Sequence, residues 1–157
     1  MKNRIVFIAL ILNLLAASAA HAQSYGPNIT LEQAKVVLAA AEAEAVRQEF
    51  AVAIAVVDTA GQLVAYVKRD HTQTASVDVA QGKARTAAMY KRATKAFQDT
   101  IAAGGVGVRI LTLEGVVAAE GGVPLVVDGA IIGAVGVSGV TSEQDGMVAT
   151  AGAAALE

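Results

Sequence analysis

Between Glu120 and Gly139 two apolar runs rich in β-branched residues, Val123–Val127 and Ala130–Val137, flank the pair Asp128-Gly129. Apolar, β-branched-rich runs on either side of Asp-Gly constrain a chain strongly, because that pair tolerates the positive φ angles of a two-residue hairpin turn. The stretch is therefore expected to be a β-hairpin. Gly121-Gly122 before it lets backbone approach backbone or a ligand closely, and Ser138-Gly139-Val140-Thr141-Ser142 after it leads into a helix that Ser142 opens.

The first 22 residues have a different character. Lys2 and Arg4 form a short basic region, Ile5–Leu15 is almost unbroken hydrocarbon, and Ala20-His21-Ala22 supplies a small-x-small cleavage site. The apolar run is short for a stable membrane anchor, so residues 1–22 are expected to be a signal peptide and residues 23–157 a single exported domain, periplasmic or secreted. An uncleaved membrane helix is the alternative. Cleavage would leave His71 as the sole histidine.

With no cysteine in the chain, disulfides, thiolate metal sites and Cys nucleophiles are excluded. Twelve Lys and Arg against 14 Asp and Glu, with no basic run, make nucleic acid and anionic membrane surfaces poor partners. Length alone allows one domain with a real core. Few large apolar residues and many alanines favour flat, closely packed faces and hence a homo-oligomer.

Along the chain the two periodicities alternate. Thr30 with Gln33 forms a capping box, and Leu31, Ala34, Leu38, Ala41 and Ala45 recur on one face of a helix to about Glu49. Ala51–Val57, the turn cluster Asp58–Gln62 and Leu63–Lys68 read as a first hairpin, with Asp58 serving the turn. Residues 69–74 are a polar loop. Ser76 is expected to cap a helix bearing Ala80, Ala84, Ala87 and Ala88, which breaks near Tyr90–Ala93 before a short helix over 94–103. Residues 106–117 read as loop, helical turn and then a strand. The expectation is a single α+β domain, an antiparallel sheet of two hairpins and an extra strand covered by helices.

Several segments also resemble one family in order. Val56-Val57-Asp58-x-x-Gly61, Leu63-Val64-Ala65-Tyr66, Ala80-x-x-Lys83-Ala84-x-Thr86-Ala87, Glu120-Gly121-Gly122-x-Pro124, Gly133-Ala134-x-Gly136-Val137-Ser138-Gly139 and Ser142-Glu143-Gln144-Asp145 are similar to the GlcG/HbpS group, the heme-degrading-domain family related to the PduO C-terminal domain. The resemblance spans Ile29 to Ala155. It implies a profilin-like (GlcG-like) sheet, oligomeric assembly and heme as a cofactor, while the family has no single established reaction.

The residues leave two functional classes open. One is an exported heme-binding protein, possessing at most weak heme-degrading activity, that is, more a binding protein than an efficient enzyme. The other is a non-enzymatic sensor or carrier of a small organic acid, or an oligomeric accessory protein. Where relatives usually read Arg-Met-Asp-Gly, this chain has Lys68-Arg69-Asp70-His71, so His71 is a candidate axial metal ligand. Solvation in a surface loop is its bland alternative. The resemblance implies an N-terminal histidine ligand in some relatives; lacking it, this chain would use His71, Tyr66, Tyr90, a Met, or no strong ligand. Lys83, beside Glu120, Gly121 and Gly122, would present an ammonium to a ligand carboxylate, or else pair with Glu120 or Asp145. The glycines of 133–139 do not open a helix after a strand, so a dinucleotide loop fails its context. No catalytic triad or two-histidine zinc motif is present.

Overall fold

The structure, a computed structural model, describes residues 23–156, so the expected signal peptide, 1–22, lies outside them. In chain order they form β1 (Ser24–Tyr25), α1 (Leu31–Arg47), β2 (Ala53–Asp58), β3 (Leu63–Lys68), α2 (Ser76–Tyr90) and α3 (Thr94–Ala102). A 3₁₀ helix (Gly105–Thr112), β4 (Gly122–Val127), β5 (Ala130–Ser138), α4 (Ser142–Ala153) and a terminal 3₁₀ turn (Ala154–Leu156) follow.

The hairpin β4–β5 turns where its residues dictate. Asp128 and Gly129 have φ of 50° and 76°, the pair of positive angles whose twist matches that of the flanking strands. β5 then pairs antiparallel with β4 on one edge (Val127 opposite Ala130, Gly122 opposite Gly136) and with β2 on the other (Asp58 opposite Gly133, Ala53 opposite Ser138). β3 adds antiparallel to β2, and Asp58 closes their turn by accepting from the N–H groups of Ala60 and Gln62 at 2.9 and 2.8 Å. The two-residue β1 lies parallel to the start of β5, which makes this five-stranded sheet mixed.

Helices cover both faces, in different ways. On one face Val37 and Ala41 of α1 and Val148 of α4 meet Ile54, Val56, Leu125, Val135 and Val137 of the sheet. Each Val, Ile or Leu buried there contributes about 1.5–3 kcal/mol, so this face supplies most of the hydrophobic stabilisation. On the other, the apolar contacts of α2 are alanines (80, 84, 87, 88), set against Ala53, Ala55, Val57 and Ala134. Small side chains let the helix backbone come almost onto the sheet: a Cβ at Gly136 would lie 2.1 Å from Ala80 O.

Two expectations are corrected. Thr112–Gly121 contains no strand; instead Val117 N–H donates to Thr86 Oγ1 at 3.0 Å and Glu120 N–H to Gln98 Oε1 at 2.8 Å, so side chains satisfy the backbone groups a strand would have paired. Ser76 does not cap α2, since the cap is Ala75 and the buried Ser76 hydroxyl accepts from Ser138 Oγ at 3.2 Å. Ser142 opens α4 as expected, with Thr141 as its cap in a second capping box with Gln144 that matches the one between Thr30 and Gln33.

Candidate functional site

α2 runs with its Lys83 side pointed between β5 and α4, and the lysine there is 2 % exposed. Its Nζ donates to Asp145 Oδ2 at 2.7 Å and to Val137 O at 3.0 Å. Asp145, also 2 % exposed, accepts a further bond from Val140 N–H at 3.2 Å. Burial pushes the Asp145 carboxyl above the usual carboxylate range, opposed by Lys83 and by the N–H groups of Val140 and Gly139. The ion pair ties two helices together across the edge of the sheet.

Glu120, Gly121 and Gly122 sit against the same pair, so four of the five expected site residues are brought together. The cluster is closed. Gly121 has φ of 125°, and a Cβ on it would come within 2.8 Å of Lys83 Nζ and 2.7 Å of Val137 O. Val137 N–H donates to Gly121 O at 2.8 Å, and Gly122 N–H to Thr94 Oγ1 at 2.8 Å. These amides are spent on protein partners, and Asp145 stands where a ligand carboxylate would meet the ammonium. Glu120 lies over α4, where a Cβ on Gly146 would meet its Oε1 at 2.6 Å.

His71 lies elsewhere. It is exposed, with φ of 67°, in the loop between β3 and α2, a left-handed conformation that glycine adopts more readily. With Glu42 and Val46 of α1 and with Lys68, Arg69 and Asp70 it lines a mostly polar groove of about 460 Å³, to which none of the Lys83 cluster contributes. Among the described residues no group of three potential His, Asp or Glu metal ligands converges. Tyr66, on β3 beneath α2, has a buried hydroxyl without a hydrogen-bond partner among the described residues. Burial, with Asp78 adding to it, pushes its pKa up and keeps the phenol neutral.

A cleft of about 620 Å³ opens between the end of α2, α3 and the 3₁₀ helix. Phe97, Ile110 and Leu113 give it apolar walls, and Tyr90, Arg92 and Arg109 line it as well. Tyr90 meets Phe97 edge to face at 5.5 Å, and the Arg92 guanidinium stacks on the same ring at 5.3 Å. The rim carries exposed apolar side chains: Val106 is 83 % and Leu113 40 % exposed. Sequence reasoning singled out only Tyr90 here. The signal available was the run Val106, Val108, Ile110, Leu111, Leu113, which has more large apolar residues than a surface loop needs.

Residues 29–154 match the family described as "Haem degrading protein HbpS-like". Protein GlcG of Escherichia coli (strain K12) is 41% identical over 110 residues, 70% of this chain and 81% of GlcG. The crystal structure of HbpS superposes with a TM-score of 0.77 at 28% identity, covering 85% of this chain and 94% of that one. A PduOC structure solved as a heme complex gives 0.75 at 28% identity, covering 83% and 96%. The chain belongs to the HbpS-like heme-degrading family.

Proposed function

We propose that this member of the family binds heme, and that it does so in the cleft between α3 and the 3₁₀ helix. One observation carries the reading: an apolar cleft of about 620 Å³ has two guanidiniums, Arg92 and Arg109, in its wall. A porphyrin is a flat apolar disc with two carboxylates on one edge, and that pairing of surfaces suits both halves. Phe97, Ile110 and Leu113 would cover the ring, and the arginines would hold the propionates. Bound heme supplies a redox-active iron. The chain's own part is to bury the ring and to fix its edge.

The groove at His71 suits a macrocycle less well. Seating one there would strip water from Glu42, Lys68 and Asp70 without replacing their hydrogen bonds. The organic-acid reading is weakened because Asp145 already neutralises Lys83. Heme degradation would be a secondary property of a protein built to bind.

The proposal includes export, supported by the order Lys2, Arg4, Ile5–Leu15 and Ala20-His21-Ala22. The intact mass of protein recovered from the periplasm or medium should begin at Gln23. Finding Met1 still attached would end that part. It also includes a homo-oligomer, supported by the exposed Val36, Val46, Val106, Leu111 and Met147. Sedimentation at micromolar concentration should give a species larger than one chain.

Hemin titration of the mature protein tests the main reading. A saturable Soret change is expected, with affinity reduced about tenfold or more in the Arg92→Gln/Arg109→Gln double variant, since charge-assisted bonds contribute about 1.5–3 kcal/mol each. Binding that does not saturate would overturn it.

A further inference from the structure

We propose that Tyr90 is the axial iron ligand of that heme, bound as its phenolate; the inference rests on the heme reading above and adds the atom that meets the metal. The cleft offers few alternatives. No histidine, methionine or carboxylate lines it, and its side-chain oxygens are those of Tyr90, Thr100 and Thr112. Thr100 Oγ1 donates to Ala96 O and Thr112 Oγ1 to Arg109 O, each at 2.7 Å, as hydroxyls within a helix do. Tyr90 Oη makes no hydrogen bond among the described residues, whereas the phenol of Tyr25 is taken by Ala88 O and Met89 O at 2.9 and 3.0 Å.

The chain also holds Tyr90 in place. α2 stops at this residue because Lys91 turns left-handed, with φ of 55°. The turn is fixed by Arg92 N–H donating to Ala87 O, and Arg92 Nε donates to Tyr90 O at 3.3 Å. Phenol and guanidinium are then packed on one Phe97 ring, which fixes the side chain of Tyr90 in the cleft wall. Tyr90 gives its phenolic proton to solvent as Oη bonds ferric iron, and the oxidation state of the iron does not change. Phenolate is an established ligand type for protein heme and favours the ferric form.

The full mature chain is titrated with hemin as wild type, Tyr90→Phe, Tyr66→Phe and His71→Ala, with visible absorption, resonance Raman and reduction potential as readouts. Tyr90→Phe keeps the contact with Phe97, and circular dichroism checks that it folds. The expected result is a phenolate-to-iron charge-transfer band and phenolate vibrations in wild type, Tyr66→Phe and His71→Ala. Both should be lost in Tyr90→Phe, with weaker binding and a raised potential. Tyr90→His should restore tight binding with a histidine-type spectrum. Phenolate signals that survive in Tyr90→Phe, or heme signals lost in His71→Ala alone, would overturn the assignment while leaving heme binding intact. No saturable binding by wild type would overturn the heme reading and this inference together.

Discussion

The Lys83–Asp145 corner and the α3 cleft lie on the same domain and are built on opposite terms. In the first, charged side chains are almost wholly buried, and the Gly122 N–H and the Gly121 carbonyl are held by protein partners. In the second, valine and leucine stand in solvent around an open hollow while arginines line its wall. The motif-bearing residues hold the frame. The residues suited to a ligand belong to no motif.

Breaking the frame should cost most. Asp145→Ala leaves a buried ammonium without its partner and should destabilise by about 3–5 kcal/mol in urea unfolding, whereas Lys83→Met/Asp145→Leu should regain most of that loss. If the single variant costs less than about 1 kcal/mol, the corner is not part of the frame. The same carboxyl has a pH signature. Its folded pKa lies above the unfolded value, so the folded state binds this proton more tightly. Its contribution to stability therefore falls as pH rises from about 4 through the raised value, and Asp145→Asn should flatten that slope.

Gly136→Ala follows in size, at about 1–3 kcal/mol, because the new methyl meets the backbone of α2 rather than a movable side chain. Thermal unfolding measures it; a neutral result would mean that α2 can lift from the sheet. His71→Gly should stabilise by about 0.5 kcal/mol, as relief of the left-handed strain outweighs the added chain entropy. A loss instead would show that the imidazole makes contacts worth more than its strain. Smallest is Val106→Ser on the cleft rim, within about 0.5 kcal/mol of wild type in stability. That substitution should nevertheless reduce hemin affinity or self-association, a separation of effects that the Lys83 corner cannot give.

Local chemistry made much of the frame readable. Thr30 and Gln33 announce α1, Asp58 and Asp128-Gly129 announce two turns, and the apolar runs flanking those turns place four strands. β1 was invisible because two residues carry no period, and it exists only through its pairing with Ala130 and Ile131. The strand expected before Glu120 failed for a related reason: its apolar residues are real, but Thr86 and Gln98 claim its amides from elsewhere in the chain. The cleft is harder still, since Tyr90, Phe97 and Ile110 come from three elements whose approach only the packed chain defines. Lys83 was legible as a marked residue, yet its choice between a ligand and Asp145 depended on a partner 62 positions away.

β5 has a kinetic consequence. Its partner β4 is two residues away through the turn, but β2 reaches it only after the chain has closed a loop running from Asp58 to Gly133. Closing a loop that long costs entropy that the local hairpin never meets. The hairpin should therefore assemble early and wait as a template, with β2 and β3 docking onto it in the slow step. Native-state hydrogen exchange would read the reverse order, as amides of β3 exchange ahead of those in β5, which is paired along both edges.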